Sequence, residues 1–193
     1  MIGNDVVDLC DPEVDPAGLH PRFDAFVFSN DEREQLDASA DPRRLRWVLW
    51  AAKEATYKLA RKRNSTAVFA PARFCVALDS STVHHGGDCY RVSIDEQPSF
   101  VHAVATVATS AAPPRLARVA PLPPDADPGD AVRAFALQGL APLFGTADLS
   151  IRREHRIPVL VRGAHPLPCD LSLSHHGRYV AFACELREEG CAA

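Results

Sequence analysis

The chain has 193 residues, with 21 lysines and arginines against 25 aspartates and glutamates, and a formal net charge of -4. Its 47% hydrophobic and 24% charged residues are typical of soluble globular proteins and exclude a disordered polymer. The acidic balance argues against nucleic-acid binding, which needs a basic surplus. The longest apolar run, residues 47–52, is too short to cross a membrane, and the first residues carry no signal-peptide pattern, so we expect a cytoplasmic protein.

The first part of the chain begins with an apolar strand at residues 2–9, followed by a short helix that starts after Ser29. Its clearest element is a helix over residues 43–62, which follows Asp41 and Pro42 and contains no glycine or proline. Strands are predicted next at residues 73–78, 89–94 and 101–108.

Six of the sixteen prolines lie between residues 111 and 130, a stretch that favours the extended backbone of a linker. We therefore predict a first half over residues 1–110, a linker over 111–130 and a second half over 131–193. In the second half we predict a helix at 131–144 and strands near 149–153, 157–161, 171–174 and 179–185. A helix on an antiparallel sheet occurs twice in this plan, so the predicted fold class is α+β, a pseudodimer of two related halves.

The long helix has two faces when its residues are placed about 100° apart around the axis. One is an apolar stripe; nearly opposite lie Trp47, Trp50, Glu54, Tyr57 and Lys58. A solvated face would not gather three aromatic side chains around a carboxylate, because burying an aromatic side chain is strongly favourable. This second face is predicted to meet protein or a ligand. Taken alone, Glu54 and Lys58 are also explained as an ordinary i,i+4 salt bridge.

Three segments together resemble the 4′-phosphopantetheinyl transferase superfamily. Residues 2–8, I-G-N-D-V-V-D, resemble its G-I-D-I-(V/E)-E segment, and residues 50–58, W-A-A-K-E-A-T-Y-K, are similar to its W-x-x-K-E-(A/S)-x-x-K signature. Residues 173–179, L-S-H-H-G-R-Y, look like the I-S-H-S-G-x-(W/Y) segment of surfactin-type members. In surfactin-type enzymes that segment comes first, so the chain resembles a circularly permuted member. The alternative is a small holo-acyl-carrier-protein synthase that carries a long insertion.

The resemblance implies an enzyme that uses Mg²⁺ to transfer the 4′-phosphopantetheine arm of coenzyme A to a serine of an apo acyl or peptidyl carrier protein, releasing 3′,5′-ADP. It implies coenzyme A and a carrier protein of fatty acid, polyketide or nonribosomal peptide biosynthesis as partners, without nucleic acid or membrane. A pseudodimer implies a monomer. Two alternatives remain: a non-catalytic relative that binds coenzyme A or a carrier protein, and a metal-dependent hydrolase.

The resemblance also implies roles for particular residues. Asp5 and Glu54 match the metal-binding carboxylates of the family, and Glu54 and Lys58 are the implied catalytic residues. The family's third carboxylate is replaced by Val7, and Asp8 is interpreted as structural or close to the metal ligands.

For coenzyme A, the implied contacts are Ser174 and His175 of the third segment, with Lys53 as a further phosphate candidate. The family's E-x-G-K-P lysine is absent, and Arg156 is taken as its substitute. An acidic carrier protein would need a local basic surface. The candidates are Arg43, Arg44 and Arg46 at one end of the long helix and Arg61, Lys62 and Arg63 at the other.

Overall fold

The protein has a mixed α+β fold with antiparallel sheets, as predicted, in a computed structural model that describes residues 1–107 and 115–187. Up to residue 107 the elements are β1 (Ile2–Asp8), α1 (Phe23–Val27), α2 (Asn30–Ala38), α3 (Pro42–Arg63), β2 (Cys75–Ala77), β3 (Thr82–His85), β4 (Asp88–Glu96) and β5 (Phe100–Val107). From residue 115 they are β6 (Arg115–Pro121), α4 (Pro128–Phe144), β7 (Leu149–Glu154), β8 (Ile157–Arg162), β9 (His165–Pro166), β10 (Cys169–His176) and β11 (Tyr179–Leu186).

The long helix α3 confirms the prediction for residues 43–62 and adds one residue at each end. It begins at Pro42 because the Asp41 side chain accepts a hydrogen bond from Arg44 N at 2.9 Å, which satisfies one free N–H of the first turn. Helix α2 begins at a capping box, in which Ser29 and Glu32 each accept a hydrogen bond from the other's backbone N–H.

The first sheet has the strand order β1-β5-β4-β3-β2, with every neighbouring pair antiparallel. The apolar stripe of α3 packs against one face of this sheet and forms the main core. Strand β1 approaches α3 so closely that a Cβ atom on Gly3 would lie 2.1 Å from the Ala55 carbonyl oxygen. This close approach brings the side chains of β1 next to those of α3.

The aromatic face of α3 is covered by other parts of the chain, as predicted. Trp47 and Trp50 both pack against Phe23 of α1, with ring centroids 5.9 and 5.8 Å away. Trp50 and Tyr57 both pack against Phe69, in the segment that follows α3. This face of α3 is therefore an apolar wall beside Glu54 rather than a solvated surface.

The second sheet has the order β10-β11-β6, and α4 packs on one of its faces. Gly139 of α4 lies against Phe182 of β11, where a Cβ atom would be 2.5 Å from the ring. A separate sheet, β7-β8-β9, adds Leu160 to the same core. None of the helices that the structure describes combines the length and apolarity that a bilayer crossing requires.

The two parts of the chain meet where β1 lies beside β10. Backbone N–H groups of β1 donate to side chains of β10, and in each pair the two residues are 168 positions apart, so the strands run in the same direction. Side chains of β10 thus replace the backbone ladder that the edge of the first sheet lacks. The pairs are Ile2 with Asp170 (2.6 Å), Asn4 with Ser172 (2.9 Å) and Asp8 with His176 (3.1 Å).

The predicted linker over 111–130 is wrong in its central part. Residues Arg115–Pro121 form β6, which pairs along its whole length with β11, and α4 begins at Pro128, where Asp127 caps it. The prolines around β6 obscure its strand pattern, and its partner β11 lies far along the chain. Pro121 is the last residue of β6, a position where proline is tolerated. Residues 111–114 lie outside the described residues. The division into two halves, and their relation as a permuted pseudodimer, stay predictions.

Candidate active site

Strand β1 supplies the first carboxylate of the site. Because side chains alternate along a strand, Gly3, Asp5 and Val7 share one face of β1, and this is the face that packs on α3. Asp5 is 9% exposed. The sequence therefore places a nearly buried carboxylate against a helix, where a counter-charge is needed.

Helix α3 supplies that counter-charge and a second carboxylate. Lys58 Nζ donates hydrogen bonds to Asp5 Oδ1 at 2.8 Å and to the Asn4 carbonyl oxygen at 3.0 Å. Glu54 lies one turn before Lys58, on the same face of the helix. The observed salt bridge of Lys58 is with Asp5 and joins two elements, whereas the ordinary reading of the sequence paired it with Glu54.

Glu54 is the electrostatically unusual group of the site. Burial raises its pKa to about 7, with a further increase from the nearby Asp5 charge, while Lys58 opposes the shift. Two carboxylates thus influence one another in partly desolvated surroundings, and the ammonium group of Lys58 binds one of them, Asp5. Such a pair favours a bound cation or a shared proton, both of which are common in catalytic sites.

His175 brings the second part of the chain to this site. It stands near the end of β10 and remains open to solvent, but the surrounding protein desolvates it in part and lowers its pKa. The Lys58 ammonium lowers this pKa further, and the charges of Asp127 and Asp5 oppose the shift. Charged groups of β1, α3 and the N-terminus of α4 therefore influence the pKa of His175 on β10.

A comparison with protein families identifies the first part of the chain. A family profile described as "4'-phosphopantetheinyl transferase superfamily" matches residues 1–105, which is more than half of the chain. The chain belongs to the 4′-phosphopantetheinyl transferase superfamily. The matched region contains Asp5, Glu54 and Lys58 but not His175. A comparison with curated proteins found no match.

Members of the 4′-phosphopantetheinyl transferase superfamily use coenzyme A as substrate, act on carrier proteins and are generally magnesium-dependent. Asp5 and Glu54 fit such an ion by their chemistry, because Mg²⁺ prefers oxygen ligands and is commonly held by one or two carboxylates plus water and substrate phosphates. Within residues 1–107 and 115–187, no group of three or more metal-binding side chains is assembled. The fit therefore rests on two carboxylates whose mutual repulsion a cation would relieve.

Lys53 does not lie in this transferase site, which corrects its assignment as a phosphate contact. Its side chain is fully buried, and Nζ donates to Glu32 Oε2 at 2.7 Å and to the carbonyl oxygens of Phe74 and Pro71 at 2.6 and 3.1 Å. An ammonium group has three donors, and all three are used here. Lys53 anchors α2 and the segment before β2 to α3.

Ser174 also differs from its predicted role. It is 5% exposed, and its Oγ accepts a hydrogen bond from Asn4 Nδ2 at 3.1 Å, so its side chain faces β1 and not solvent. Arg156 lies exposed in the β7–β8 turn with a positive φ of 70°. No hydrogen bond or ion pair within the described residues joins Arg156 to the site, and its role stays a prediction.

Asp8, at the end of β1, accepts four hydrogen bonds from the neighbouring loop and turn. The Arg178 side chain donates to both Asp8 carboxylate oxygens, at 2.7 and 2.8 Å, and the backbone N–H groups of Cys10 and Arg178 donate at 2.9 and 3.0 Å. Burial alone would raise the pKa of Asp8, but these hydrogen bonds outweigh it and lower the pKa to about 2. Asp8 therefore binds the β10–β11 turn to β1, in agreement with its interpretation as a structural residue.

Two further residues of the site region were not predicted from the sequence. Asn4 and His102 are 0% and 4% exposed, and Asn4 Nδ2 lies 3.1 Å from His102 Nε2. Asn4 gave a signal in the sequence, because it is a polar residue in an otherwise apolar strand. His102 gave none, since a lone histidine in a strand has no partner that the sequence reveals.

Proposed function

We propose that the protein transfers the 4′-phosphopantetheine arm of coenzyme A to a serine of an apo carrier protein. The observation that supports this best is the salt bridge between Lys58 and Asp5, with Glu54 one turn before Lys58 on the same helix. The Lys58 and Asp5 charges also influence the pKa of His175. Transfer between a pyrophosphate and an alcohol needs these functions: an anion contact, a cation site and a proton acceptor.

In the proposed reaction the serine oxygen forms a bond to the β-phosphorus of coenzyme A, and the bond to the 3′,5′-ADP oxygen breaks. The serine proton passes to a base at the site, for which Glu54, Lys58 and a bound water are the candidates. Lys58 keeps Asp5 in place and contributes positive charge beside the phosphates. His175 binds a coenzyme A phosphate from the side of β10.

Asp5 and Glu54 would hold the magnesium ion in this proposal. When bound, the ion supplies neutralisation of the charge that develops on the pyrophosphate. Val7, two residues after Asp5, is an apolar core residue 1% exposed, so it offers no further ligand. Water and substrate phosphates would complete the coordination.

We place the carrier protein on the side of α3 that carries the aromatic wall. Four of the six basic residues predicted for this contact form ion pairs within the chain: Arg44 with Glu96, Arg46 with Asp24, Lys62 with Asp170 and Arg63 with Asp88. Arg22 and Arg73 are exposed near this wall, and Arg22 lies 4.6 Å from the ring centroid of Phe26, which is 57% exposed. An acidic carrier would find charge and apolar surface together there.

The test is incubation of the protein with coenzyme A, Mg²⁺ and a panel of apo carrier proteins, with intact-mass detection. We expect one phosphopantetheine to be added to at least one carrier. Glu54→Gln and Asp5→Asn should each lower the rate by roughly a hundredfold or more, because each removes a charge on which the reaction depends. Glu34→Gln, at an exposed position on α2, is the matched control and should keep the parent rate.

The same panel of carrier proteins also distinguishes the proposed transfer from the two alternative functions. Binding of coenzyme A without transfer to any carrier would favour a non-catalytic relative, a reading that the exposed Arg156 in place of the family's Gly-Lys pair supports. Release of phosphate from coenzyme A without a carrier would instead indicate a hydrolase. Either result would overturn the proposed transfer.

A further inference from the structure

A buried polar cluster lies behind the proposed site, on the opposite face of β1 from Asp5. It consists of Asn4, His102 on β5 and Ser174 on β10, which are 0%, 4% and 5% exposed. Strand alternation puts the Asn4 side chain on this face and the Asp5 side chain on the other. The cluster contacts no substrate in the proposed reaction, yet two of its three members, Asn4 and Ser174, directly precede site residues in the chain.

Asn4 connects several elements through its own atoms. Its Nδ2 donates to Ser174 Oγ and lies 3.1 Å from His102 Nε2, its backbone N–H donates to Ser172 Oγ at 2.9 Å, and its carbonyl oxygen accepts from Lys58 Nζ at 3.0 Å. One residue thus contacts α3, β5 and β10. Asn4 directly precedes Asp5, and Ser174 directly precedes His175.

The Asn4 amide lies between His102 and Ser174. Burial lowers the pKa of His102 to about 4, so the ring is neutral near neutral pH, and in the tautomer protonated at Nδ1 its Nε2 accepts the amide hydrogen. The amide NH₂ group then serves both His102 and Ser174, while Asn4 Oδ1 has no partner among the described residues. The NH₂ group is therefore the part of this side chain that ties β5 to β10.

We propose that Asn4 is a positioning residue, which holds the segment of β10 that carries His175 in register with the segment of β1 that carries Asp5. This inference rests on the proposed function, since His175 is assigned there to coenzyme A phosphate. A displacement of Ser174 relative to Asn4 is passed to His175 through one peptide unit. The phosphate contact would then move relative to Asp5 and Lys58.

Hydrogen bonds at the two ends of the β1–β10 pair allow this positioning role to be tested without unfolding the protein. Ile2 bonds to Asp170 and Asp8 bonds to His176 and Arg178, so the two strands stay attached when the middle contact is lost. Loss of the Asn4 amide should therefore loosen the register at the site without separating the two parts of the chain.

The test compares Asn4→Leu, which keeps the branched shape of the side chain but removes its donors, with the parent in steady-state transfer. We expect KM for coenzyme A to rise roughly tenfold, because small misplacements of binding groups are costly, while KM for the carrier stays unchanged. In a His175→Ala background the same substitution should add nothing. A coenzyme A KM equal to that of the parent, or an undiminished effect in the His175→Ala background, would overturn the proposal.

Two further variants make the result interpretable. Ser174→Ala removes the same hydrogen bond from the β10 side and should reproduce the KM change if Asn4→Leu does not fold. Val104→Ala, in a separate apolar cluster with Ile2 and Ala183, is the control for general destabilisation and should leave KM for coenzyme A unchanged. A rise in KM for Val104→Ala equal to that for Asn4→Leu would assign the effect to stability and refute a positioning role.

Failure of the proposed function can be recognised separately. If the parent binds coenzyme A but transfers nothing, the proposed function fails. The same variants are then compared by calorimetry, and the Kd of Asn4→Leu for coenzyme A should exceed that of the parent by the same roughly tenfold factor. If the parent does not bind coenzyme A at all, both proposals are overturned.

Discussion

Lys53 and Lys58 show how burial separates two lysines of one motif. They lie five residues apart on α3, and the family resemblance implies a phosphate contact for Lys53 and a catalytic role for Lys58. Lys53 is buried against Glu32, and burial lowers its pKa while the Glu32 charge opposes that shift. Lys58 faces Asp5 with 29% of its side chain exposed. The same residue type is thus a structural anchor at one position and a site residue at the other.

His102 makes the stability of the protein depend on pH. Burial lowers its pKa from 6.5 to about 4, Asp95 on the neighbouring strand opposes this shift, and Lys58 adds to it. Below about pH 6.5 the unfolded chain takes up a proton that the folded chain does not, so stability is present above that pH and is lost as the pH falls toward about 4.

We expect the free energy of unfolding to fall by about 2 kcal/mol between about pH 7.5 and about pH 5 because of this group. His102→Gln keeps a side-chain atom that can accept from Asn4 but does not titrate, so it should lack this part of the pH dependence. Urea unfolding of both proteins at the two pH values measures the difference. Equal pH dependence in parent and variant would contradict the assignment.

At the scale of elements, the contact of β1 with α3 depends on Gly3. A Cβ atom there would lie 2.1 Å from Ala55 O and 2.8 Å from Leu59 N, both backbone atoms of a regular helix that cannot turn aside. Gly3→Ala should therefore destabilise the protein by about 2 kcal/mol or more. The transfer rate should also fall under conditions in which Gly3→Ala is still folded, because the displaced strand carries Asp5 away from Glu54 and Lys58.

Gly18→Ala is the matched control, since a Cβ atom at Gly18 meets nothing within 4 Å. It should leave both unfolding and activity at the parent values. Thermal unfolding with a parallel transfer assay separates the two effects of Gly3→Ala. Parent-like stability of Gly3→Ala would mean that the helix and strand can separate at no cost.

The elements that the sequence predicted well are those with local signals. Helix α3 has a cap, a proline at its first position and an uninterrupted amphipathic pattern, and the strand pair β4–β5 alternates between clear turns. Strand β6 was missed because its pairing with β11 is remote and prolines surround it. The sequence does not predict strand β3, because the segment 82–85 is short and polar. Its pairing with β4, rather than its strand propensity, defines it.

The site residues likewise divide into those that a local motif predicts and those that depend on remote contacts. The motifs predict Asp5, Glu54, Lys58 and His175 as site residues, and their roles stay predictions; the structure shows Lys58 in a salt bridge with Asp5. The direction of Ser174 could not be predicted, because a strand residue faces one of two sides and the choice depends on what packs there. For Ser174 that neighbour is Asn4, 170 residues away along the chain. Motif positions therefore predict candidate residues, while burial and packing determine which way their side chains face.

At the scale of the whole molecule, Lys62 forms a buried salt bridge between the two parts of the chain. Its Nζ donates to Asp170 Oδ1 at 2.9 Å and to the carbonyl oxygens of Ile2 and Leu171 at 2.7 Å each, with both charged side chains 7% exposed. Asp170 also accepts from Ile2 N. The tie joins α3, β1 and β10, so Lys62 serves the internal interface and is not available to a carrier protein.

Lys62→Met should lower the free energy of unfolding by about 3 to 5 kcal/mol, because it leaves Asp170 as a buried charge without its partner. Adding Asp170→Asn should recover more than half of this loss, since the amide oxygen can still accept from Ile2 N while the unpaired charge is gone. Arg63→Met is the matched control: its pair with Asp88 is exposed and 3.7 Å long, so its loss should cost less than about 1 kcal/mol. Urea unfolding of the four proteins measures these differences. A double variant no more stable than Lys62→Met would show that the hydrogen bonds of Lys62 to the two carbonyl oxygens, rather than its charge, hold the interface.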